Sequence, residues 1–251
     1  PESPTSALLG LNAGSYSFKW TISNGPECAA SETNIDVTIT PLPTIADAGD
    51  NQFLCNTGNT TLEGNTATEG TGTWSFVSGG TGATITDENN PTTTVTNIPV
   101  GTHRLRWTIS NSVCTDYFDE MNITRYPELE VTDPIASATY CEGGSQTLEV
   151  VATGGDGSGY SYQWYTRTDP GDTWSSISGA TNASYTTPTS LAIGTYYYYA
   201  EVTNCTTVSS SEAQITVVAD PAISVQPVGA DICSGLTHTM SVSATGTAPG
   251  E

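Results

Sequence analysis

Cysteine is the residue type in this chain whose number and spacing point most directly to chemistry. The 251 residues contain six cysteines, at positions 28, 55, 114, 141, 205 and 233. Thiols form disulfides, bind zinc or act as nucleophiles, and zinc sites usually combine closely spaced cysteine pairs with histidines. The chain has no Cys-x-x-Cys pair and only two histidines. We therefore predict disulfides and an oxidising, extracellular compartment.

The cysteine spacing allows two pairing schemes. Equivalent cysteines recur every 86 to 92 residues, which fits one small disulfide-bonded domain per repeat. The favoured scheme joins Cys55 to Cys114 and Cys141 to Cys205, and it leaves Cys28 and Cys233 to partners outside the segment. The alternative uses all six cysteines by bridging each repeat junction, from 28 to 55, 114 to 141 and 205 to 233, over spacings of 27, 27 and 28 residues.

No residue pattern in the sequence indicates catalysis or a bound cofactor. His103 and His238 lie on predicted strands, without a Gly-x-Ser-x-Gly elbow, a His-Glu-x-x-His pair or a glycine-rich phosphate loop. We predict that the chain is not an enzyme and that it has no catalytic residues.

Acidic pairs at two turns are candidates for calcium. Asp47 with Asp50, and Asp87 with Glu88, could supply the oxygen ligands that this hard cation prefers. They form no complete calcium loop, and the second pair has no acidic counterpart in the next repeat. We therefore favour solvated acidic turns and predict no metal site.

Charge and hydropathy exclude two classes of partner. Twenty-six acidic residues against five basic ones give a formal net charge of −21, which would repel a nucleic-acid backbone. No apolar run is long enough to cross a bilayer, so this segment is not expected to insert into a membrane. The first residues also lack an apolar signal core, and we expect export to be encoded elsewhere in a longer parent chain.

An internal repeat defines the predicted domains. Residues 16–24 (YSFKWTISN) align with residues 103–111 (HRLRWTISN), and a more diverged copy, YYYYAEVTN, occupies residues 196–204. The repeat division predicts the C-terminal half of one domain at 1–42, complete domains at 43–126 and 127–220, and the opening strands of a further domain at 221–251. Prolines at the junctions, without Gly/Ser tethers, favour a rod-like array.

Within the repeats, apolar residues alternate with polar ones, and the helical period is absent. This alternation is typical of half-buried strands, and about seven strands per repeat predict an all-β chain of immunoglobulin-like sandwiches. In this alternation, four tryptophans occupy positions that face inward, and we predict that they lie in the cores: Trp20, Trp74, Trp107 and Trp164. Trp174 and about half of the tyrosines in residues 196–199 are expected on the outside, as a rim or a contact strip.

Several motifs resemble those of known bacterial surface modules. Residues 46–52 (ADAGDNQ) resemble the opening of polycystic-kidney-disease-type (PKD) domains, and residues 232–235 (ICSG) with 194–196 (GTY) and 204–205 (NC) are similar to Ig-like modules of giant Bacteroidota adhesins. Residues 72–75 (GTWS), 89–92 (NNPT) and 106–111 (RWTISN) resemble repeats of gliding-motility adhesins of the SprB type. The third repeat has Ala200 where the other copies have tryptophan, so the array mixes two module types.

The resemblance implies a protein exported by the type IX secretion system and displayed on the outer surface. With the repeats, it predicts a structural stalk segment of a large adhesin, which holds and transmits force to adhesive regions. The expected partners are further repeats of the parent chain and surface polysaccharide or protein ligands. Two alternatives are a carbohydrate- or protein-binding module and a non-catalytic spacer of a secreted hydrolase.

Overall fold

The computed structural model describes residues 5–132 and 134–246. Across these two ranges the chain forms 21 β-strands and no helix, so no helix in the described part is available to span a membrane. The strands divide between two compact units, Pro1–Arg125 and Tyr126–Glu251. The prediction of an all-β chain of immunoglobulin-like sandwiches is confirmed.

The first unit contains a hairpin followed by a sandwich. The hairpin consists of β1 (Gly14–Ile22) and β2 (Ser31–Ile39). The sandwich strands are β3 (Gln52–Leu54), β4 (Thr60–Thr61), β5 (Thr71–Ser78), β6 (Thr84–Ile85), β7 (Thr94–Thr96), β8 (Gly101–Ser110) and β9 (Tyr117–Arg125). One sheet has the order β3-β9-β8-β5 and the other the order β4-β7-β6. β3 runs parallel to β9, whereas β8 is antiparallel to both of its neighbours.

A tryptophan pair fills the centre of this sandwich. Trp74 on β5 faces Trp107 on β8 in the ladder, and their ring centroids are 5.1 Å apart. Both rings are buried, and their indole N–H groups donate to the backbone carbonyls of Pro91 and Asn65. Gly72 makes room for the second ring, because a Cβ there would lie 2.0 Å from Cζ2 of Trp107. The alternating strand residues Leu105 and Ile109 flank the pair and are fully buried.

The second unit contains a sandwich followed by a hairpin. Its sandwich strands are β10 (Glu130–Val131), β11 (Ala138–Cys141), β12 (Thr147–Glu149), β13 (Ala152–Thr153), β14 (Ser161–Arg167), β15 (Ser175–Ser176), β16 (Ser184–Thr186), β17 (Gly194–Thr203), β18 (Thr207–Ser209) and β19 (Ala213–Val218). The main sheet has the order β11-β19-β17-β14-β15, with β18 also paired to β17. As in the first sandwich, an early strand, here β11, is parallel to the last strand, β19. The hairpin is β20 (Ala222–Val225) with β21 (Ser243–Thr245).

Tyrosines replace the missing tryptophan in the second core. Trp164 faces Ala200 in the ladder, where the first sandwich pairs two tryptophans. Tyr185 lies 5.9 Å from the Trp164 ring and 5.8 Å from the Tyr198 ring, measured between centroids. The stack supplies the aromatic volume that Ala200 lacks, and Trp164 remains fully buried.

The prediction that Trp20 is a core residue requires correction. Trp20 is only half-buried on β1, and Ile22 and Ile35 on the same hairpin are 63% and 61% exposed. A two-stranded hairpin has no second layer to cover its apolar face. Residues 222–246 are likewise exposed throughout.

Candidate functional site: the cysteine positions and an outer sheet face

The bonding states of the cysteines match neither of the two predicted pairing schemes. Cys55 and Cys205 are disulfide-bonded, whereas the remaining four cysteines carry free thiols: Cys28, Cys114, Cys141 and Cys233. The predicted bridges Cys55–Cys114 and Cys141–Cys205 are therefore not formed, and neither is the alternative set across the junctions.

In the first sandwich, Cys55 and Cys114 lie at opposite ends of the sheet. Cys55 follows Leu54, which pairs with Arg125 at the end of β9. Cys114 precedes β9 in the β8–β9 loop, and its thiol faces the carbonyls of Thr40 and Pro41 at 3.8 and 3.6 Å. A nine-residue strand spans roughly 26 Å, whereas disulfide-bonded Cα atoms lie within about 7 Å of each other.

The second sandwich repeats this arrangement. Cys141 pairs with Val218 at the end of β19, and the N–H of Glu142 continues the ladder to the Val218 carbonyl at 3.0 Å. Cys205 lies in the β17–β18 turn, beyond the opposite end of the same sheet. The two cysteines of each sandwich lie outside the core, one at the end of the strand that runs parallel to the last strand and the other in a loop.

In each sandwich, the loop that carries Cys114 or Cys205 is held by the hydrogen bonds of an asparagine side chain. Oδ1 of Asn111 accepts the N–H of Cys114 at 2.9 Å, and its Nδ2 donates to the Pro41 carbonyl at 2.7 Å. Oδ1 of Asn204 accepts the N–H of Cys205 and that of Asp156, both at 2.7 Å. No hydrogen-bonding role was predicted for either asparagine, although both end their aligned repeat segments.

We expect Asn111→Ala to destabilise the first sandwich by about 1–2 kcal/mol, because the partly buried Cys114 N–H and Pro41 carbonyl lose their hydrogen bonds. The substitution should also speed alkylation of Cys114, whose loop loses its anchor. Asn111→Asp keeps the acceptor but not the donor, so an intermediate loss is expected. Denaturant midpoints and iodoacetamide labelling rates measure the two effects, and an unchanged labelling rate for Asn111→Ala would contradict the anchoring role.

Aromatic side chains cover the outer face of the second sandwich's main sheet. Tyr165 and Tyr199 stack with centroids 4.9 Å apart, and Trp174 meets Tyr199 edge-on at 4.6 Å. The guanidinium of Arg167 lies 4.3 Å above the Trp174 ring and pairs with Glu212 at 2.6 Å. Trp174, which was expected to be exposed, is therefore half-buried by this cluster.

One carboxylate interacts with both stacked tyrosines of the cluster. Tyr165 and Tyr199 donate their hydroxyl groups to Glu201 at 3.0 and 3.4 Å. Desolvation and the nearby Glu201 charge raise the pKa of Tyr199 to about 12, and the hydrogen bond to Glu201 raises that of Tyr165. The rings thus remain protonated and neutral over the ordinary pH range.

The first sandwich has a smaller cluster on the corresponding face. Glu120 forms ion pairs with both Arg104 and Arg106, and the Arg106 guanidinium lies 4.1 Å above the Phe118 ring. Three of the five basic residues of the chain therefore lie in these two outer-face clusters. The cations interact with neighbouring side chains of their own sheet.

The calcium candidates form ordinary turns. Asp47 accepts the N–H of Gly49, and Asp87 accepts the N–H of Asn89, both at 3.0 Å. Across residues 5–132 and 134–246, no cluster of three or more metal-ligating side chains occurs near Asp50, Glu88 or elsewhere. The absence of a calcium requirement remains a prediction.

His103 has a structural role in the first sandwich. Its Nδ1 accepts the N–H of Gly80 at 3.0 Å, and its Nε2 donates to the Pro99 carbonyl at 2.9 Å. With the ring buried and both nitrogens occupied by backbone groups, the side chain is held in place and not presented to a substrate.

Comparisons with known proteins agree with this architecture. The family model described as "Domain of unknown function (DUF8696)" matches residues 134–219. No curated protein matches the chain. The I67–I69 fragment of the titin I-band is similar at a TM-score of 0.53 and 17% identity, over 82% of this chain and 77% of that chain.

Two further solved structures are less similar. Immunoglobulin domains 1–5 of Sidekick-1 give a TM-score of 0.44 at 16% identity, over 90% of this chain and 51% of that chain. The two Ig domains of DIP-gamma give 0.42 at 14% identity, over 70% and 98%. Identities this low support the fold alone. The disulfide-bonded cysteines fit an oxidising, extracellular compartment.

Proposed function

We propose that this chain is a load-bearing stalk segment of a bacterial cell-surface adhesin, built from the repeats 43–126 and 127–220 between partial repeats. The observation that carries the proposal is the parallel pairing of the last strand with an early strand in both sandwiches, β3 with β9 and β11 with β19. The sequence resemblance to gliding-motility adhesins supports the finer assignment to Bacteroidota, type IX export and display outside the outer membrane.

The chain enters and leaves each sandwich at opposite ends of a sheet. In the first, the Pro41 carbonyl is bonded to Asn111 beside the start of β9, whereas Arg125 ends that strand. In the second, the Pro127 carbonyl accepts the N–H of Gly155 near the Asn204 turn, and Val218 lies at the far end. Tension along the chain therefore pulls each parallel strand pair in opposite directions along its length.

When a parallel strand pair is pulled in this way, tension acts on all the hydrogen bonds between the two strands together and not on one bond after another. The N–H of Gln214 donates to Ser137 Oγ at 2.9 Å, and Val218 accepts the N–H of Glu142, so this edge of β19 faces β11. Because alternate residues of a strand direct their N–H groups to the same side, the N–H of Thr216 also faces β11. Sliding the two strands apart requires these bonds to break at once.

We expect Thr216→Pro to lower the unfolding force of repeat 127–220, because proline removes one hydrogen-bond donor from the β11–β19 ladder. The equilibrium loss should be about 1–3 kcal/mol. The measurement is single-molecule extension of the full chain in reductant, so that no disulfide limits the extension.

Two comparisons make this test specific. Thr216→Ala keeps the backbone donor and should retain most of the unfolding force, and repeat 43–126 in the same molecule is an internal reference. Equal unfolding forces for the proline and alanine variants, or unfolding of both wild-type repeats near zero force, would argue against a load-bearing role.

A protein- or carbohydrate-binding module is the second candidate. The outer-face cluster around Tyr165, Trp174 and Tyr199 favours it, since aromatic and arginine side chains are common in recognition surfaces. The stalk is the better-supported function because these rings and Arg167 already contact one another. A spacer within a secreted hydrolase would use the same load-bearing fold, and the parent coding sequence distinguishes it from an adhesin.

A further inference from the structure

The β1–β2 hairpin has the same strand register as the β8–β9 hairpin of the sandwich in the same unit. Phe18 faces Ile35 across the first hairpin, and Leu105 faces Met121 across the second. Because side chains alternate between the two faces of a strand, each hairpin presents five corresponding residues on one side, which we call its apolar face. These residues are Phe18, Trp20, Ile22, Ile35 and Val37 in the first hairpin and Leu105, Trp107, Ile109, Met121 and Ile123 in the second.

The two apolar faces differ in how far they are covered. All five residues of the β8–β9 face are at most 1% exposed, because they pack in one core with β5 and the second sheet. On the β1–β2 face, Ile22 and Ile35 are 63% and 61% exposed, and Trp20 is half-buried. An open groove of about 400 Å³ is lined by Leu8 together with Phe18, Trp20 and Ile35. A contiguous exposed apolar surface of this kind indicates an interaction site.

The covered hairpin also shows which strand lies beside its tryptophan. β5 pairs antiparallel with β8, with Trp74 opposite Trp107 and Gly72 opposite Ile109. In the described part of the chain, β1 pairs with β2 alone. The edge of β1 that corresponds to the β5 side of β8 can therefore accept a further strand, because the backbone groups of a sheet edge pair readily with an added strand.

The glycine of β5 specifies what the added strand must contain. A Cβ atom at Gly72 would lie 2.0 Å from Cζ2 and 2.3 Å from Cη2 of Trp107, so the indole ring lies directly over this glycine. The indole N–H then reaches the Asn65 carbonyl at 3.1 Å. Because Trp20 holds the position of Trp107, a strand that buries it in the same way must have a glycine opposite Ile22.

We propose that the apolar face of the β1–β2 hairpin binds the first half of a repeat of the same kind as residues 43–100. In the sandwich so formed, a strand with the Gly-x-Trp spacing of β5 pairs antiparallel with β1. Its tryptophan lies opposite Trp20, and its glycine lies opposite Ile22. The proposal rests on the repeat division used for the proposed function, and it identifies the chemistry of the segment that completes the partial repeat 1–42.

A hybrid of the full chain tests the proposal. A second copy of residues 43–100 replaces residues 1–13, so that Val100 of the copy precedes Gly14 as it precedes Gly101 in the sandwich. Hydrogen exchange followed by mass spectrometry measures the protection of β1 and β2. We expect their amide groups to exchange more slowly than in the unaltered chain by roughly tenfold or more, because the hairpin becomes part of a sandwich core.

Two valine substitutions in the added copy make the test specific. Gly72→Val should abolish the added protection, because the new side chain would overlap the Trp20 ring as it would overlap Trp107. Ser75→Val, at an exposed position of the same strand, should retain the protection, since valine is well suited to strands. Equal exchange in the hybrid and the unaltered chain would overturn the proposal, as would equal exchange in the two valine variants. The measurement involves no force, so the proposal can fail while the stalk function stands.

Discussion

Trp164→Ala is expected to destabilise repeat 127–220 by about 3–5 kcal/mol, the usual cost of truncating a large buried aromatic residue. The ring is fully buried against Tyr185 and its N–H donates to the Asn182 carbonyl at 2.9 Å. Each sandwich has its own core cluster. In reductant, hydrogen exchange should therefore accelerate in repeat 127–220 and remain slow in repeat 43–126.

The same repeat contains a matched control. Trp174→Ala removes the same side chain from the half-buried outer face, and it should cost less than half as much as Trp164→Ala. Trp107→Ala should produce the reciprocal pattern, with fast exchange confined to repeat 43–126. Loss of protection in both repeats after either core substitution would show that the sandwiches unfold as one cooperative unit.

Local alternation and the internal repeat were sufficient to predict the fold. Leu105, Trp107 and Ile109 share one side of a strand because side chains alternate between the faces of a sheet, and all three are buried. The aligned segments likewise marked the strands that recur in both sandwiches. Alternation and repeated segments can be recognised in a sequence because each depends only on neighbouring residues of one strand.

Predictions from the sequence were wrong where cysteine pairing or tryptophan burial depended on contacts between separate strands and layers. Cys55 and Cys114 have a spacing suited to one closed domain, but parallel pairing of β3 with β9 places them at opposite ends of the sheet. Trp20 has the inward parity of Trp107, yet its hairpin lacks the second layer that would bury it. Composition and alternation therefore determined the fold class, whereas strand direction in the tertiary structure separated Cys55 from Cys114 and layer contacts decided that Trp107 is buried and Trp20 is not.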